Sequence, residues 1–167
     1  MMKNTAQQHC LQQEIAALLT QQKSLILATN GTTQALASYA PFALGEKNFY
    51  VLLSDLACHS KNLQQEPKAS LLIIEDESKA ETIFTRKRIQ YNVISTEISR
   101  TDDMFKQGTE ALLKRHGETI EMLISLSDFR LFSLAPQSGS YIKGFGKAYR
   151  IKGNEPLGQT LEHIHPK

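Results

Sequence analysis

Short apolar segments that end at turn residues restrict this chain to a small set of folds. Segment 24–29 is an apolar run that stops at Asn30-Gly31, a dipeptide typical of tight hairpin turns. Segment 35–44 is predicted to be extended, and Pro41 within it favours an edge or bulged position. Further strands are predicted at 48–54, 69–74 and 89–98. Because helices do not alternate with these strands, the pattern predicts an antiparallel sheet.

The last part of the chain predicts one more hairpin. Residues 129–134 alternate between apolar and polar side chains well enough for a half-buried strand. Pro136 and Gly139 predict a turn after it, and 141–149 is predicted to return as a second extended segment. Within that segment, the glycines of 144–146 predict a β-bulge.

Helical patterns flank these strands. They occur at 7–22, 56–65, 101–116 and 120–126. Many short antiparallel strands with few helices predict a β-barrel that has its helices packed on the outside. A small barrel is filled by its own side chains, so a large ligand is expected on the outside or between subunits.

Length and composition indicate one globular domain. The chain has 167 residues, 41% of them hydrophobic and 22% charged, and we expect one domain over 1–167, with an N-terminal helix in 1–23 and a C-terminal tail in 153–167. Few apolar residues follow Ile151, so we expect a mobile tail.

A formal net charge of +2 is too small to indicate a nucleic-acid partner. No apolar run approaches the roughly 20 residues that span a bilayer. Residues 1–9 lack the apolar core of a secretory signal, so no membrane insertion and a cytoplasmic location are expected.

Five blocks of sequence follow one another in a characteristic order. They are 38–42 (SYAPF), 57–63 (ACHSKNL), 74–77 with 84–88 (IEDE and FTRKR), 128–132 (DFRLF) and 143–149 (KGFGKAY). Together they resemble the haem-utilisation proteins of the HugZ/HutZ type, within the split-barrel superfamily of pyridoxamine 5′-phosphate oxidase-like flavoproteins. The resemblance covers the chain from about residue 24 to the C-terminus. It implies a homodimer of six-stranded antiparallel split barrels, mainly β with flanking helices, that binds haem between or beside the subunits.

The resemblance also implies an activity. Members of that family cleave haem oxidatively with O2 and an external electron donor, and they release iron in the cytoplasm. A histidine near the C-terminus is the proximal iron ligand, which corresponds here to His165 or His163, and the position of Leu161-Glu162 favours His165. An acid that matches Asp128 hydrogen-bonds that histidine.

Further site residues come from the same resemblance. Side chains matching Arg88 and His59 lie near the haem edge. The segment Ser60-Lys61-Asn62 resembles the phosphate-binding segment of the superfamily's flavin enzymes, which makes Lys61 a candidate for cofactor binding.

The chemistry of an Asp–His pair suits this role. A neutral imidazole binds haem iron through one nitrogen and offers an N–H from the other. A carboxylate such as Asp128 would receive that N–H, fix the tautomer and give the ligand more imidazolate character. The residues alone also allow simpler interpretations, in which the terminal histidines His163 and His165 are untethered and Asp128 is a turn residue. Only the resemblance selects His165 and Asp128.

The basic cluster of Arg86, Lys87 and Arg88 has two interpretations. Guanidinium groups pair with carboxylate and phosphate, so the cluster could bind haem propionates or a flavin phosphate. Alternatively, it balances the acidic residues at 75–77 as a solvated start of a strand. The resemblance carries over Arg88 alone.

Two other functions remain open at this point. One is an FMN-dependent oxidoreductase of the pyridoxamine 5′-phosphate oxidase type, in which the protein would be yellow and would release FMN on denaturation. The other is a non-enzymatic haem carrier or store, which needs the iron ligand but would show no ring opening under reductant.

Overall fold

The computed structural model describes residues 2–158 and 160–164, with side chains from Ala6 onward. The elements in chain order are α1 (Met2–Gln21), β1 (Ser24–Asn30), β2 (Ala35–Leu44), β3 (Phe49–Ser54), α2 (Cys58–Gln65), β4 (Lys68–Ile74), β5 (Arg88–Ile98), α3 (Asp103–His116), α4 (Thr119–Ser125), β6 (Phe129–Ile142), β7 (Ala148–Lys152) and β8 (Thr160–His163). Two short 3-10 turns, Glu77–Lys79 and Ile83–Thr85, lie between β4 and β5. None of the described helices is long and apolar enough to cross a bilayer.

The strands form one antiparallel sheet that closes into a barrel. Their order is β3-β2-β1-β4-β5-β6-β7-β8, and an additional pairing of β3 with β6 closes the first six strands. The strands β7 and β8 extend the sheet beyond the closure. The prediction of a six-stranded antiparallel barrel with flanking helices is therefore confirmed.

The barrel interior is filled by apolar side chains. Strand β1 shows the reason, because its residues alternate strictly between exposed and buried. Helix α1 adds Leu11, Ile15, Leu18 and Leu19 to the main core. A second, smaller core forms where α3 and α4 cover Tyr50, Leu52 and Leu131. Because the interior is filled, a large ligand can bind only on the outer surface of the barrel.

The predicted turn at Pro136 and Gly139 is wrong, because β6 continues through both residues. Its pairing with β5 shifts register at one point, where Asn92 faces Ser138 and Val93 faces Pro136. The extra residue of this β-bulge is Gln137, and a bulge tolerates a proline that cannot donate to the ladder. The turn lies at 143–147 instead, so the glycines of 144–146 belong to it rather than to a bulge.

Gly139 is needed for close packing rather than for a turn. A Cβ at this position would lie 2.5 Å from the Tyr91 ring and 2.9 Å from the main-chain oxygen of Gln90. Tyr91 is 1% exposed and has no room to move away. We expect Gly139→Ala to lower the free energy of unfolding by about 1–3 kcal/mol, measured by urea denaturation. The control is Gly144→Ala, where the nearest atom is Lys147 Cδ at 3.6 Å. Equal stability of the two variants would contradict this packing.

The C-terminal tail differs from the expected mobile segment. Thr160–His163 form the edge strand β8, which pairs with β7. Leu161 is 3% exposed and belongs to the main core. One buried leucine thus anchors the part of the tail that the structure describes, while His165 lies outside the described residues.

Candidate functional site

The predicted site residues lie at two different ends of the barrel. The first, which we call the α2 end, is where β1 and β3 end, β6 begins and α2 packs. The second, the tail end, is where β4 and β6 end, β5 begins and β8 finishes beside the start of β7. Asp128, His59 and Lys61 are at the α2 end, whereas Arg88 and His163 are at the tail end.

Asp128 is fixed at the junction of β3 and β6. Its main-chain oxygen accepts from the Asp55 N–H at 2.7 Å, and its Oδ2 accepts from Ser54 Oγ at 2.9 Å. Ser54 Oγ also accepts from the Leu56 N–H at 3.2 Å. Within the described ranges, no residue donates a hydrogen bond to Asp128 Oδ1. The half-buried carboxylate is therefore oriented through one oxygen while the other can receive a donor.

Arg130 organises the charges beside Asp128. Its guanidinium pairs with Asp55 through Nε and with Glu97 Oε1 through Nη1, the latter at 2.5 Å. The hydrogen bond from Arg130 is the main cause that lowers the pKa of the Asp55 carboxyl below its ordinary value. Arg130 lies in the 128–132 block, but the sequence alone predicts no role for it. The acids it pairs with are 75 and 33 residues away in the chain, so only the folded sheet brings them together.

A cleft opens at the start of β6. It has a volume of about 460 Å³ and is lined by 97–100, Phe105, Ser127 and 129–131, so the residues on either side of Asp128 in the chain face it while Asp128 itself is not part of the lining. Arg100, which lines the cleft, donates to the main-chain oxygens of Ile124 and Leu126 at 2.7 and 2.6 Å. The lining combines the rings of Phe105 and Phe129 with charged side chains, which suits a ligand that has both an aromatic surface and polar groups.

The helix α2 presents His59 and Lys61 differently. His59 is half-buried, and its Nδ1 lies 3.0 Å from Ser38 Oγ. Lys61 is exposed. The flanking residues of the segment that resembles a phosphate site are used within the fold: Ser60 is completely buried, and Asn62 Nδ2 donates to Thr29 Oγ1 at 3.0 Å. This arrangement leaves Lys61 alone of the three to contact a phosphate.

Burial lowers the pKa of His59 below 6.5. The unfolded chain therefore takes up a proton at this residue more readily than the folded one. The contribution to stability is complete above pH 6.5 and is lost as the pH falls through the folded-state pKa. We expect an NMR titration of the His59 ring to give a midpoint below 6.5, with the ring neutral at pH 7. A midpoint at or above 6.5 would show that the ring is more hydrated than its position on α2 indicates.

At the tail end, the basic cluster is divided between two roles. Arg86 donates through Nε to the main-chain oxygen of Glu75 at 2.9 Å and pairs with Glu77 Oε1 at 2.8 Å, so it holds the loop before β5. Arg88 is half-buried at the first position of β5, and its Nη1 donates to the main-chain oxygen of Arg86 at 3.1 Å. The remaining N–H groups of its guanidinium point to a binding capacity that Arg86 lacks.

His163 is held by the turn between β6 and β7. Its Nε2 lies 2.8 Å from the main-chain oxygen of Gly146, which can only accept, so this nitrogen donates. Its ring also packs edge-on against Tyr149, with the centroids 5.2 Å apart. His163 therefore has a structural role at the end of β8. His165 lies outside the described residues.

Within one subunit, the described part of the tail lies away from Asp128. Phe129 begins β6, and the row of Tyr141, Tyr149 and His163 crosses the sheet near the other end of that strand. Strand β6, which separates Asp128 from this row, is about 40 Å long. Since β8 runs in the same direction as β6, it ends pointing away from Asp128. Within the described part of the chain, no three His, Cys, Asp or Glu side chains form a metal-binding group.

The chain is similar to known proteins in both sequence and structure. Residues 11–143 match the family model described as pyridoxamine 5′-phosphate oxidase. The chain is 36% identical over 159 residues to a protein named haem oxygenase HutZ from Vibrio cholerae, which covers 94% of this chain and 90% of that protein. A crystal structure of HutZ, described as the haem storage protein of Vibrio cholerae, superposes with a TM-score of 0.77 at 34% identity, over 81% of this chain and 97% of that one. The crystal structure of Campylobacter jejuni ChuZ superposes with a TM-score of 0.81 at 29% identity, over 92% of this chain and 61% of that one.

Proposed function

Because the chain belongs to the HutZ-type haem-utilisation family, a branch of the pyridoxamine 5′-phosphate oxidase family, we propose that it binds haem and degrades it oxidatively to release iron. The reaction uses O2 and electrons from an external donor, and it takes place in the cytoplasm. Haem is the substrate, and its iron supplies the oxygen-activating chemistry when it is bound. The chain's own residues hold the porphyrin, ligate the iron and set the charge on the ligand.

The observation that carries this proposal is the state of the Asp128 carboxylate. It is half-buried and oriented by Ser54, its chain neighbours Ser127 and Phe129 line a cleft of about 460 Å³, and its Oδ1 receives no hydrogen bond from the described residues. A carboxylate held in this way is ready to accept the N–H of an iron-bound imidazole, which raises the basicity of the ligand. Asp128 therefore tunes the iron ligand in this proposal.

The imidazole must then come from a second subunit. The tail of the same subunit leaves the sheet about 40 Å of strand away from Asp128. Two residues beyond His163 add at most about 7 Å, which is too short to return. We therefore propose a homodimer in which each haem site combines Asp128 of one subunit with the tail of its partner.

An apolar row on the outside of the barrel suits such a dimer. Tyr39, Ile26 and Leu72 face one another across β2, β1 and β4. Tyr39 is 70% and Ile26 41% exposed, which is unusual for adjacent large apolar residues in a sheet. A second copy of the chain that covers this row would remove it from water.

For the iron ligand we propose His165 rather than His163. The Nε2 of His163 donates to Gly146 and its ring packs on Tyr149, so ligation through that nitrogen would first cost both contacts. Arg88, at the same end of the sheet, is proposed to pair with a haem propionate. His59 and Lys61, at the Asp128 end, are proposed to lie near the haem edge, with His59 neutral at pH 7 because burial lowers its pKa.

The proposed function is tested by a haem titration followed by an assay of haem degradation. Haemin is added to the purified protein and its Soret band is recorded. Ascorbate and O2 are then added, and an iron chelator measures iron release. The proposal expects a saturable Soret band that disappears under reductant while iron is released. Bleaching without saturable binding, or binding without iron release, would contradict it.

Haem storage without turnover is the second candidate, because one crystal structure of the relative HutZ is described as that of a storage protein. In that case the Soret band persists under ascorbate and O2. The flavin alternative has less support, since Ser60 and Asn62 are used inside the fold. A yellow protein that releases FMN on denaturation would favour it.

A further inference from the structure

Helix α1 holds the C-terminal strand through side-chain contacts with its main chain. Gln8 donates through Nε2 to the main-chain oxygen of Leu161 at 2.6 Å, and its Oε1 accepts from the Leu161 N–H at 2.7 Å. One amide side chain thus satisfies both main-chain groups of one residue, as a neighbouring strand would.

The geometry of β8 explains why these groups are available. β8 is the edge of the sheet, and Leu161 faces Ile151 of β7. In an antiparallel ladder the N–H and C=O of one residue point to the same side, and alternate residues point to opposite sides. Since both groups of Leu161 go to Gln8, they point away from β7, and Gln8 takes the place of a further strand.

A second glutamine extends the contact. Gln12, one helical turn after Gln8 and on the same face of α1, donates to the main-chain oxygen of Gly158 at 3.0 Å. Gly158 has a φ of +67° and forms the bend that leads into β8. The buried Tyr91 hydroxyl donates to the main-chain oxygen of Pro156 just before this bend. The bend and the strand are therefore fixed from the helix and from the core.

The family model matches residues 11–143, so Gln8, Gly158 and Leu161 lie outside the matched part of the chain, while Gln12 lies just inside it. The two glutamines are not core residues, since the buried face of α1 consists of Leu11, Ile15, Leu18 and Leu19. Their amides are directed at the tail. This points to a role in placing the tail rather than in filling the barrel.

We propose that Gln8 is a positioning residue for the iron ligand, because it fixes the register in which β8 delivers the end of the chain. This inference rests on the proposed function, in which the tail histidine of one subunit reaches the haem site of the other. A slip of β8 by one residue would turn its side chains to the opposite face of the sheet. With Gln8 in place, Leu161 stays in the core and β8 ends at His163 in one fixed register.

The test compares Gln8→Ala with Gln13→Ala in the full-length protein. Gln13 lies on the exposed side of the same helix, and its Nε2 lies 3.0 Å from Nε2 of the His9 ring in the same helix, so it controls for changes in helix propensity. The first measurement is hydrogen exchange of the Leu161 amide without haem. We expect exchange to be faster by roughly tenfold or more in Gln8→Ala and unchanged in Gln13→Ala. Gln8→Glu keeps the acceptor for the Leu161 N–H and should fall between the parent and Gln8→Ala.

The second measurement is the electron spin resonance spectrum and dissociation constant of the haem complex. The inference expects Gln8→Ala to broaden the ligand signature and to weaken haem binding, while Gln13→Ala matches the parent. Unchanged exchange at Leu161 overturns it, and so does faster exchange with an unchanged haem spectrum. If His165→Ala leaves the parent's haem spectrum unaltered, the proposed function fails instead, and the positioning role falls with it whatever the exchange data show.

Discussion

Replacing His165 with alanine is expected to abolish haem degradation and to remove the spectroscopic signature of imidazole ligation. The tail histidine is the proposed bond between chain and iron, and without it the porphyrin is held only by its edges. We expect turnover to fall by more than about 100-fold, measured as loss of the Soret band under ascorbate and O2. Folding should be unaffected, because the tail is anchored through Leu161, which packs in the main core.

His163→Ala is the matched control for this prediction. It removes a histidine two positions away, together with its contacts to Gly146 and Tyr149. A modest loss of affinity is expected because β8 is less well held, with the imidazole signature retained. If His163→Ala removes the signature and His165→Ala does not, then the ligand has been assigned to the wrong histidine.

Asp128→Asn is expected to reduce turnover by about 10–100-fold while haem still binds. The amide oxygen can still accept the ligand N–H while the NH2 group donates to Ser54 Oγ, which turns from donor to acceptor, but the amide lacks the negative charge that makes the imidazole a stronger donor to iron. The ligand therefore stays in place while its electronic character changes. The measurement is the degradation rate at saturating haem, together with the resonance spectrum of the ferric complex.

Asp55→Asn provides the control for Asp128. Asp55 is a neighbouring carboxylate at the same barrel end, and it is occupied by Arg130 and by Gln64, whose Nε2 donates to it at 3.1 Å. Its replacement should disturb the local ion pairs without altering the spectrum of the ligand. Similar spectra and similar rate losses in both variants would mean that Asp128 acts only through the local fold.

The strands and the barrel were predictable because their signals are local. Alternation in 24–29 and 89–98, together with turn residues between segments, sets the faces and the order of the strands. The start and end of α3 follow the same logic, since the Asp102 side chain accepts from the Met104 N–H and Gly117 ends the helix with a φ of +78°. Signals of this kind need no knowledge of distant partners.

The errors come from contacts that no local pattern contains. Pro136 is a turn signal on its own, but the shift opposite Asn92 and Val93 turns it into part of a bulge. The tail has few apolar residues, yet Leu161 reaches the core and Gln8, 153 residues away, holds its main chain. Local propensity cannot predict an edge strand that is stabilised by a helix from the other end of the chain.

The candidate residues themselves came from the resemblance, but their arrangement needed the topology. Asp128 precedes β6 and the tail follows β7, so their separation in sequence does not give the distance between them in the fold. Because β6 runs for 14 residues and does not turn back at Pro136 and Gly139, it separates the two groups. With the predicted turn at Pro136 and Gly139, the chain would have returned towards Asp128 within the same subunit.

The most direct test of this account is complementation between two inactive variants. Asp128→Ala and His165→Ala chains are produced separately and together, and the mixed dimers are assayed for haem degradation. If each site takes Asp128 from one subunit and the tail from its partner, a mixed dimer has one site with both residues intact. Random pairing makes about half of the dimers mixed, so about a quarter of the parent's activity should return. Activity no higher than that of either variant alone would contradict a site shared between subunits.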